Sequence, residues 1–216
     1  MGTYDSMRNI SPTHTHKKTQ QGFTLVELLV SISIFSVITT MAVFNNAQFN
    51  SSVLLTNLAY EVAISIRQSQ VYGVTVRKNA AGAFDSAYGI HFDMNTPTAY
   101  TLFEDKPTIN HLCDASECGA ANVVESFSLQ KGNRITKVCV DTVCTNRLID
   151  ISFVRPNPDA YIRVGTDSVT AFAKAEICIS SPKGVIRKII VEQTGQIAVA
   201  ADTNGICSNG SYYTGG

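Results

Sequence analysis

The chain has 216 residues, with 17 Lys+Arg balanced by 17 Asp+Glu, 44% hydrophobic residues and six cysteines. A formal charge of zero leaves no broad basic footprint for nucleic acid. Only two of the four histidines, His91 and His111, lie beyond residue 16, and no nucleophile motif or phosphate-binding glycine loop accompanies them, so composition gives no support to an enzyme.

The first 22 residues are polar and mildly basic, with Arg8, His14, His16, Lys17 and Lys18, and end in Gln20-Gln21-Gly22. An apolar run then extends from Phe23 to Val43, interrupted by one carboxylate, Glu27. As a helix this run is about 31 Å long, the thickness of a bilayer hydrocarbon core. A carboxylate inside such a segment costs roughly 2.5–3.5 kcal/mol at mid-membrane and less near the interface, so a positive partner is expected. No Lys or Arg lies between Phe23 and Ile66, so that partner comes from outside the helix. The simpler reading has Glu27 snorkelling to the headgroups and complementing the positive end of the helix dipole. Lys17 and Lys18 precede the run and the first basic residue after it is Arg67, which places the leader in the cytoplasm and the remainder outside. A secretory signal peptide would have a shorter apolar region and a small-residue cleavage site.

Gly22-Phe23-Thr24-Leu25-Val26-Glu27-Leu28-Leu29 resembles the type IV prepilin signature of pilins and type II secretion pseudopilins. The resemblance implies cleavage after Gly22 by a prepilin peptidase, removal of residues 1–22, and N-methylation of the new terminus at Phe23. It also implies that Glu27 pairs with a terminal amine during filament assembly. Phe23 lies about one helical turn from Glu27, and in a staggered stack a neighbour's amine can take its place. A misaligned subunit would leave a charge unpaired among apolar helices, so the pair favours one register.

Beyond the membrane segment, Leu54, Leu55, Leu58, Ala59, Val62 and Ile66 recur at spacings of three and four, with Thr56, Asn57, Tyr60, Glu61 and Arg67 between them. Neither Pro nor Gly occurs between Phe23 and Tyr72, so one helix over residues 23–72 is expected, its outer half packing an apolar stripe on a globular domain. Many type IV pilins have a helix-breaking proline that this chain lacks. Helix propensity is lowest from Phe44 to Ser52, where Asn and Ser cluster.

Residues 73–216 read as a β-rich domain with one core. Strands are expected at Ala87–Phe92, Ala99–Phe103, Ile135–Val140, Leu148–Phe153, Ala173–Ile179 and Ile186–Val191, with turns at Lys78–Gly82 and Pro156–Asp159. The last hairpin runs from Val185 to Val199 and turns at Thr194-Gly195. Together with the helix end at Leu58 to Tyr72, this resembles the GspH/FimT group of minor pilins and pseudopilins, which implies curved antiparallel sheets laid against the helix. The fold class expected is α+β: a long N-terminal helix, half membrane-spanning and half amphipathic, packed on an antiparallel β-sheet or β-sandwich domain.

All six cysteines lie on the outer side of the span, an even count that suggests disulfides in an oxidising compartment. Of 15 connectivities, spacing ranks first the two Cys-x4-Cys pairs, Cys113-Cys118 and Cys139-Cys144, which leaves Cys178-Cys207. Zinc is the competing reading of four clustered cysteines, but the usual spacing is shorter and only His111 is near them, so no metal is expected. His91 reads as a satisfied strand residue. Asp202-Thr203-Asn204-Gly205 reads as a simple turn rather than a calcium loop, since further acidic ligands are missing nearby. The basic groups Arg67, Arg77, Lys78 and Lys183, Arg187, Lys188 read as solvated faces, and only the last three are placed to serve the DNA-binding role known in some GspH/FimT-like subunits.

The resulting expectation is a structural subunit of a type IV pilus or type II secretion pseudopilus, of the minor GspH/FimT kind, with no catalytic residues and no cofactor. The alternatives are a major pilin, or a DNA-uptake or adhesive tip subunit whose outer domain binds a ligand. Its partners would be other pilin subunits in a helical filament, the prepilin peptidase, the inner-membrane assembly platform and, before assembly, the membrane. Nucleic acid is not an expected partner. The subunit would be single-pass in the inner or cytoplasmic membrane before joining an extracellular or periplasmic filament.

Overall fold

The computed structural model describes residues 22–75, 82, 86–106, 108–114, 118–119, 123–141, 143–145 and 148–209, with backbone only for 45–49 and 209. Its contacts divide the chain into two compact units, Met1–Phe44 and Asn45–Gly216. One helix, α1 (Leu25–Val74), contributes to both. It is helical throughout, including the Asn- and Ser-rich stretch after Phe44, as the absence of Pro and Gly before Gly73 permits.

The first unit contains the apolar segment Leu25–Phe44, long and apolar enough to cross a membrane and with no buried residue. Thr24 caps the helix, its Oγ1 accepting from the Glu27 amide at 3.2 Å. Ser31, Ser33, Thr39 and Thr40 each donate a side-chain hydrogen bond to the carbonyl one turn earlier. Those hydroxyls are thereby satisfied within the helix, which lets them sit in an apolar segment.

Among the described residues, the second unit holds the outer part of α1 and ten strands. They are β1 (Ala87–Phe92), β2 (Ala99–Asp105), β3 (Val123–Ser128), β4 (Arg134–Val140), β5 (Val143–Thr145), β6 (Ile149–Phe153), β7 (Ala160–Val164), β8 (Lys174–Ser180), β9 (Ile186–Glu192) and β10 (Ile197–Ala201), followed by a short α2 (Ile206–Asn209). Two five-stranded sheets form, β3-β2-β1-β6-β7 and β10-β9-β8-β4-β5, and every pairing is antiparallel.

One apolar cluster joins Leu55, Leu58, Ala59, Val62 and Ile66 of α1 to inward residues of both sheets, among them Ile90, Phe92, Ile151, Phe153, Ile177 and Ile189. The helix residues recur every three or four positions and the strand residues alternate, as the two periodicities require. Burying an Ile or Leu side chain contributes about 1.5–3 kcal/mol, so this joint core anchors the outer helix to the sheets. Gly73 lies against the backbone of Phe153, where a Cβ would collide with the carbonyl group.

The α+β expectation and the positions of six strands agree with the structure, but three strands were not expected. β3 has an exposed, irregular pattern, β5 has only three residues, one of them Cys144, and β7 follows directly on the Pro156–Asp159 turn. Leu54, expected in the apolar stripe, is 40% exposed because the buried face is centred on Leu58 and Val62. The Lys78–Gly82 turn, apart from Gly82, and the tail beyond Asn209 lie outside the described residues.

Candidate functional site: the capped apolar helix

Gly22, Phe23 and Glu27 lie together at the start of α1, all exposed. Glu27 is the acid of the first turn, and its amide is tied to Thr24. Its carboxylate has no hydrogen bond or ion pair among the described residues. The side chains around it are Leu25, Val26, Leu28 and Leu29, each more than half exposed. An apolar surface of this kind next to one uncompensated carboxylate is unsuited to water and suited to lipid or to other apolar helices.

The cysteines are paired as Cys113–Cys118, Cys139–Cys144 and Cys178–Cys207, and no described cysteine is free. The Cys139–Cys144 and Cys178–Cys207 bridges are buried in one cluster that closes the outer face of the second sheet. Cys113–Cys118 lies in the segment between β2 and β3.

That segment covers a polar patch on the first sheet. Alternation along β6 sends Ile149, Ile151 and Phe153 to the core and Asp150 and Ser152 to the other side. His91 Nδ1 meets Asp150 Oδ1 at 2.7 Å, and burial pushes the Asp150 carboxyl up despite the opposing effect of His91. His111 Nδ1 meets Ser152 Oγ at 2.9 Å, and its ring stacks on Tyr161 with centroids 3.9 Å apart. Asp105 holds the backbone of this turn, its oxygens accepting from the Asn110 and His111 amides. Desolvation raises Asp105 to about 6 and lowers His111 to about 4. The Ser152–His111 and His91–Asp150 pairs are separate, so no hydroxyl-to-imidazole-to-carboxylate relay is assembled among them.

A ring nitrogen of His91 and the sulfurs of Cys113 and Cys118 lie within 4.8 Å of one another. The histidine beside this pair is thus His91 as well as the His111 that sequence proximity indicates. With both sulfurs bonded to each other, the group offers one strong ligand rather than three.

The late basic residues are not solvated faces as a set. Lys188 is buried and donates to Asn204 at 2.8 Å beside Glu176, while Arg187 donates to Thr56 and Ser52 of α1. Lys183 alone of the three is exposed. Asp202 accepts from the Cys207 and Ser208 amides and from the Ser208 hydroxyl, so its carboxylate is occupied as a cap of α2.

Residues 17–43 match the prokaryotic N-terminal methylation motif. This chain carries the prepilin-type signature of the type IV pilin and pseudopilin family. The motif ends where the apolar segment ends and does not extend into the sheets. No curated protein and no solved structure matches the chain. A pilin-like or pseudopilin precursor accounts for the exposed apolar helix, which fits anchoring in a membrane before assembly. It implies processing by prepilin peptidase and association with other pilins, and it indicates a structural subunit rather than an enzyme. The Thr24 cap of this prepilin-type helix escaped sequence reasoning, although Thr24-x-x-Glu27 has the spacing of a capping box.

Proposed function

We propose that the protein is a structural subunit of a type IV pilus or type II secretion pseudopilus, of the minor GspH/FimT kind. It is cut after Gly22, N-methylated at Phe23 and added to a helical filament through α1, leaving the sheets outside. Residues 1–22 are the leader, 23–72 the helix with its assembly segment 23–43, and 73–216 the globular domain. Before assembly it is a single-pass protein of the inner or cytoplasmic membrane, received by the assembly platform there.

The observation that carries this reading is the Glu27 carboxylate, without a partner among the described residues on a helix that buries none of its apolar segment. A neighbour's Phe23 ammonium, packed at the matching height, supplies the missing charge and sets the stagger between subunits. The packing of the outer helix against two antiparallel sheets, with β9–β10 as the last described hairpin, supports the minor-subunit assignment. The engagement of Arg187 and Lys188 within the fold speaks against a DNA-binding role for them.

Glu27→Ala and Glu27→Gln tests the pairing. Both variants are expected to insert in the membrane and be cleaved normally, yet to be absent from sheared filaments. Incorporation of Glu27→Ala at the wild-type level would overturn the pairing role.

A further inference from the structure

Eleven lysines and arginines fall among the described residues, and seven of them hold carboxylate, carbonyl, hydroxyl or amide oxygens within the fold. The other four are Lys131, Arg134, Arg155 and Lys183, which make no side-chain hydrogen bond or ion pair there. Three of these four line a pair of adjoining clefts, of about 570 and 240 Å³, which share Pro182. No Asp or Glu among the described residues lines either cleft. A formal charge of zero over the whole chain makes this concentration of free cations a local feature, not a reflection of composition.

The clefts have the chemistry of a phosphate site. Arg134 offers a planar fork of donors in the larger cleft, which Ser180 and Ser181 also line, and the two lysines offer point charges in the smaller one. Gly132 and Gly184 turn the chain there at φ values of 74° and 80°, which keeps those positions clear of side chains.

The smaller cleft is also lined by Asn50, Ser51 and Leu54 of α1. Asn50 follows Phe44, the last residue of the apolar segment, by six residues. Even fully extended, six residues span only about 20 Å. The cations are therefore tethered close to the headgroups of whatever bilayer holds that segment, where each Lys or Arg near an anionic surface gains about fivefold in association.

We propose that this paired cleft binds the headgroup phosphate of an anionic phospholipid, in the leaflet from which residues 45–216 emerge, and so holds the subunit against the membrane before assembly. The inference rests on the membrane-insertion part of the proposed function. Lipid is favoured over nucleic acid because no aromatic side chain among the described residues lines either cleft to stack a base, and because the bilayer is supplied at high local concentration by the tether.

The test uses the full mature chain in lipid nanodiscs of phosphatidylcholine alone or with phosphatidylglycerol, labelled with an amine-reactive reagent and read by peptide mass spectrometry. Lys174, paired with Glu176 at 3.0 Å, serves as the internal reference. Labelling of Lys131 and Lys183 is expected to fall about fivefold or more with phosphatidylglycerol, and to recover in high salt. Equal labelling in the two discs would overturn the inference while leaving membrane insertion intact. Failure of the chain to co-elute with either disc would overturn insertion itself. Inorganic phosphate or duplex DNA protecting the same lysines equally well in phosphatidylcholine discs would reassign the cleft to a soluble anion and overturn the lipid assignment.

Discussion

Thr24 Oγ1 accepts the amide hydrogen of Glu27 at 3.2 Å, so the residue that starts α1 and the one acid of its apolar segment are parts of a single cap. The hydroxyl fixes where the helix begins. The carboxylate lies near the positive end of the helix dipole and has no partner among the described residues; in the proposed assembly an amine meets it. Thr24→Ala is expected to cost about 1 kcal/mol at the helix start, seen as faster amide exchange at Leu25–Leu28 in micelles, while filament incorporation persists. A loss of incorporation as complete as that of Glu27→Ala would contradict this division of roles.

The three disulfides close loops of different length. In the chain-entropy account a separation of 29 residues, as in Cys178–Cys207, is worth about 3.6 kcal/mol, and a separation of five, as in Cys139–Cys144, about 2. Removing Cys178 and Cys207 as a Ser pair should therefore lower the melting temperature more than removing Cys139 and Cys144. Calorimetry on the two double variants gives the order directly, and the reverse order would show that packing in the buried sulfur cluster outweighs loop closure.

Gln70 links the helix to the last hairpin, donating to the Gly195 carbonyl at 3.0 Å and to the Pro158 carbonyl at 2.8 Å. Gly195 has φ 81°, and a Cβ there would strike both the Pro158 carbonyl and the Gln70 amide. Gly195→Ala combines left-handed strain of about 1–2 kcal/mol with the loss of those contacts, so a destabilisation of about 2 kcal/mol or more is expected in denaturant titration. A change below about 0.5 kcal/mol would mean the hairpin moves away from α1 at no cost.

Asp105 and His111 respond to acid in opposite directions. Asp105 is raised from 3.8 to about 6 in the folded chain, so between those values the native state holds a proton that the unfolded state releases. Its contribution to stability therefore rises as pH falls from about 6 to 4. His111 is lowered from 6.5 to about 4, so as pH falls through that window the unfolded state gains a proton that the native state refuses, and stability is lost. The two effects have opposite signs, so in the wild type they offset one another in part. Relative to the wild type, His111→Asn, which tolerates the observed φ of 65°, should gain stability as pH falls from 6.5 to 4, and Asp105→Asn should lose it. Asp150, also raised by burial, is present in all three proteins and adds to the upward shift of Asp105. Parallel melting-temperature curves across this range would contradict the assignment.

The parts of the fold that were legible in the sequence are those with strong period and punctuation. The α1 pattern from Leu55 to Ile66, free of Gly and Pro, indicates both the helix and its buried face, and β1 and β9 show as short runs rich in apolar residues. Strands β3 and β5 carry too little apolar alternation to show, and β7 directly follows a turn that argues against a continuing strand. At the candidate site, Gly22, Phe23 and Glu27 fall within six consecutive residues and are readable. The His91–Asp150 pair and the cover of Cys113–Cys118 are not, because β1, β6 and the segment after β2 meet only through long-range antiparallel pairing. The burial of Lys188 was hidden for the same reason: its partner Glu176 lies on the neighbouring strand.

Intact mass and N-terminal analysis of the chain, recovered in parallel from sheared surface filaments and from membranes, tests assembly through a processed helix most directly. The account predicts a filament-borne chain that begins at Phe23 with one added methyl group on its amine. An uncleaved chain confined to membranes, in cells whose prepilin peptidase is active, would contradict it.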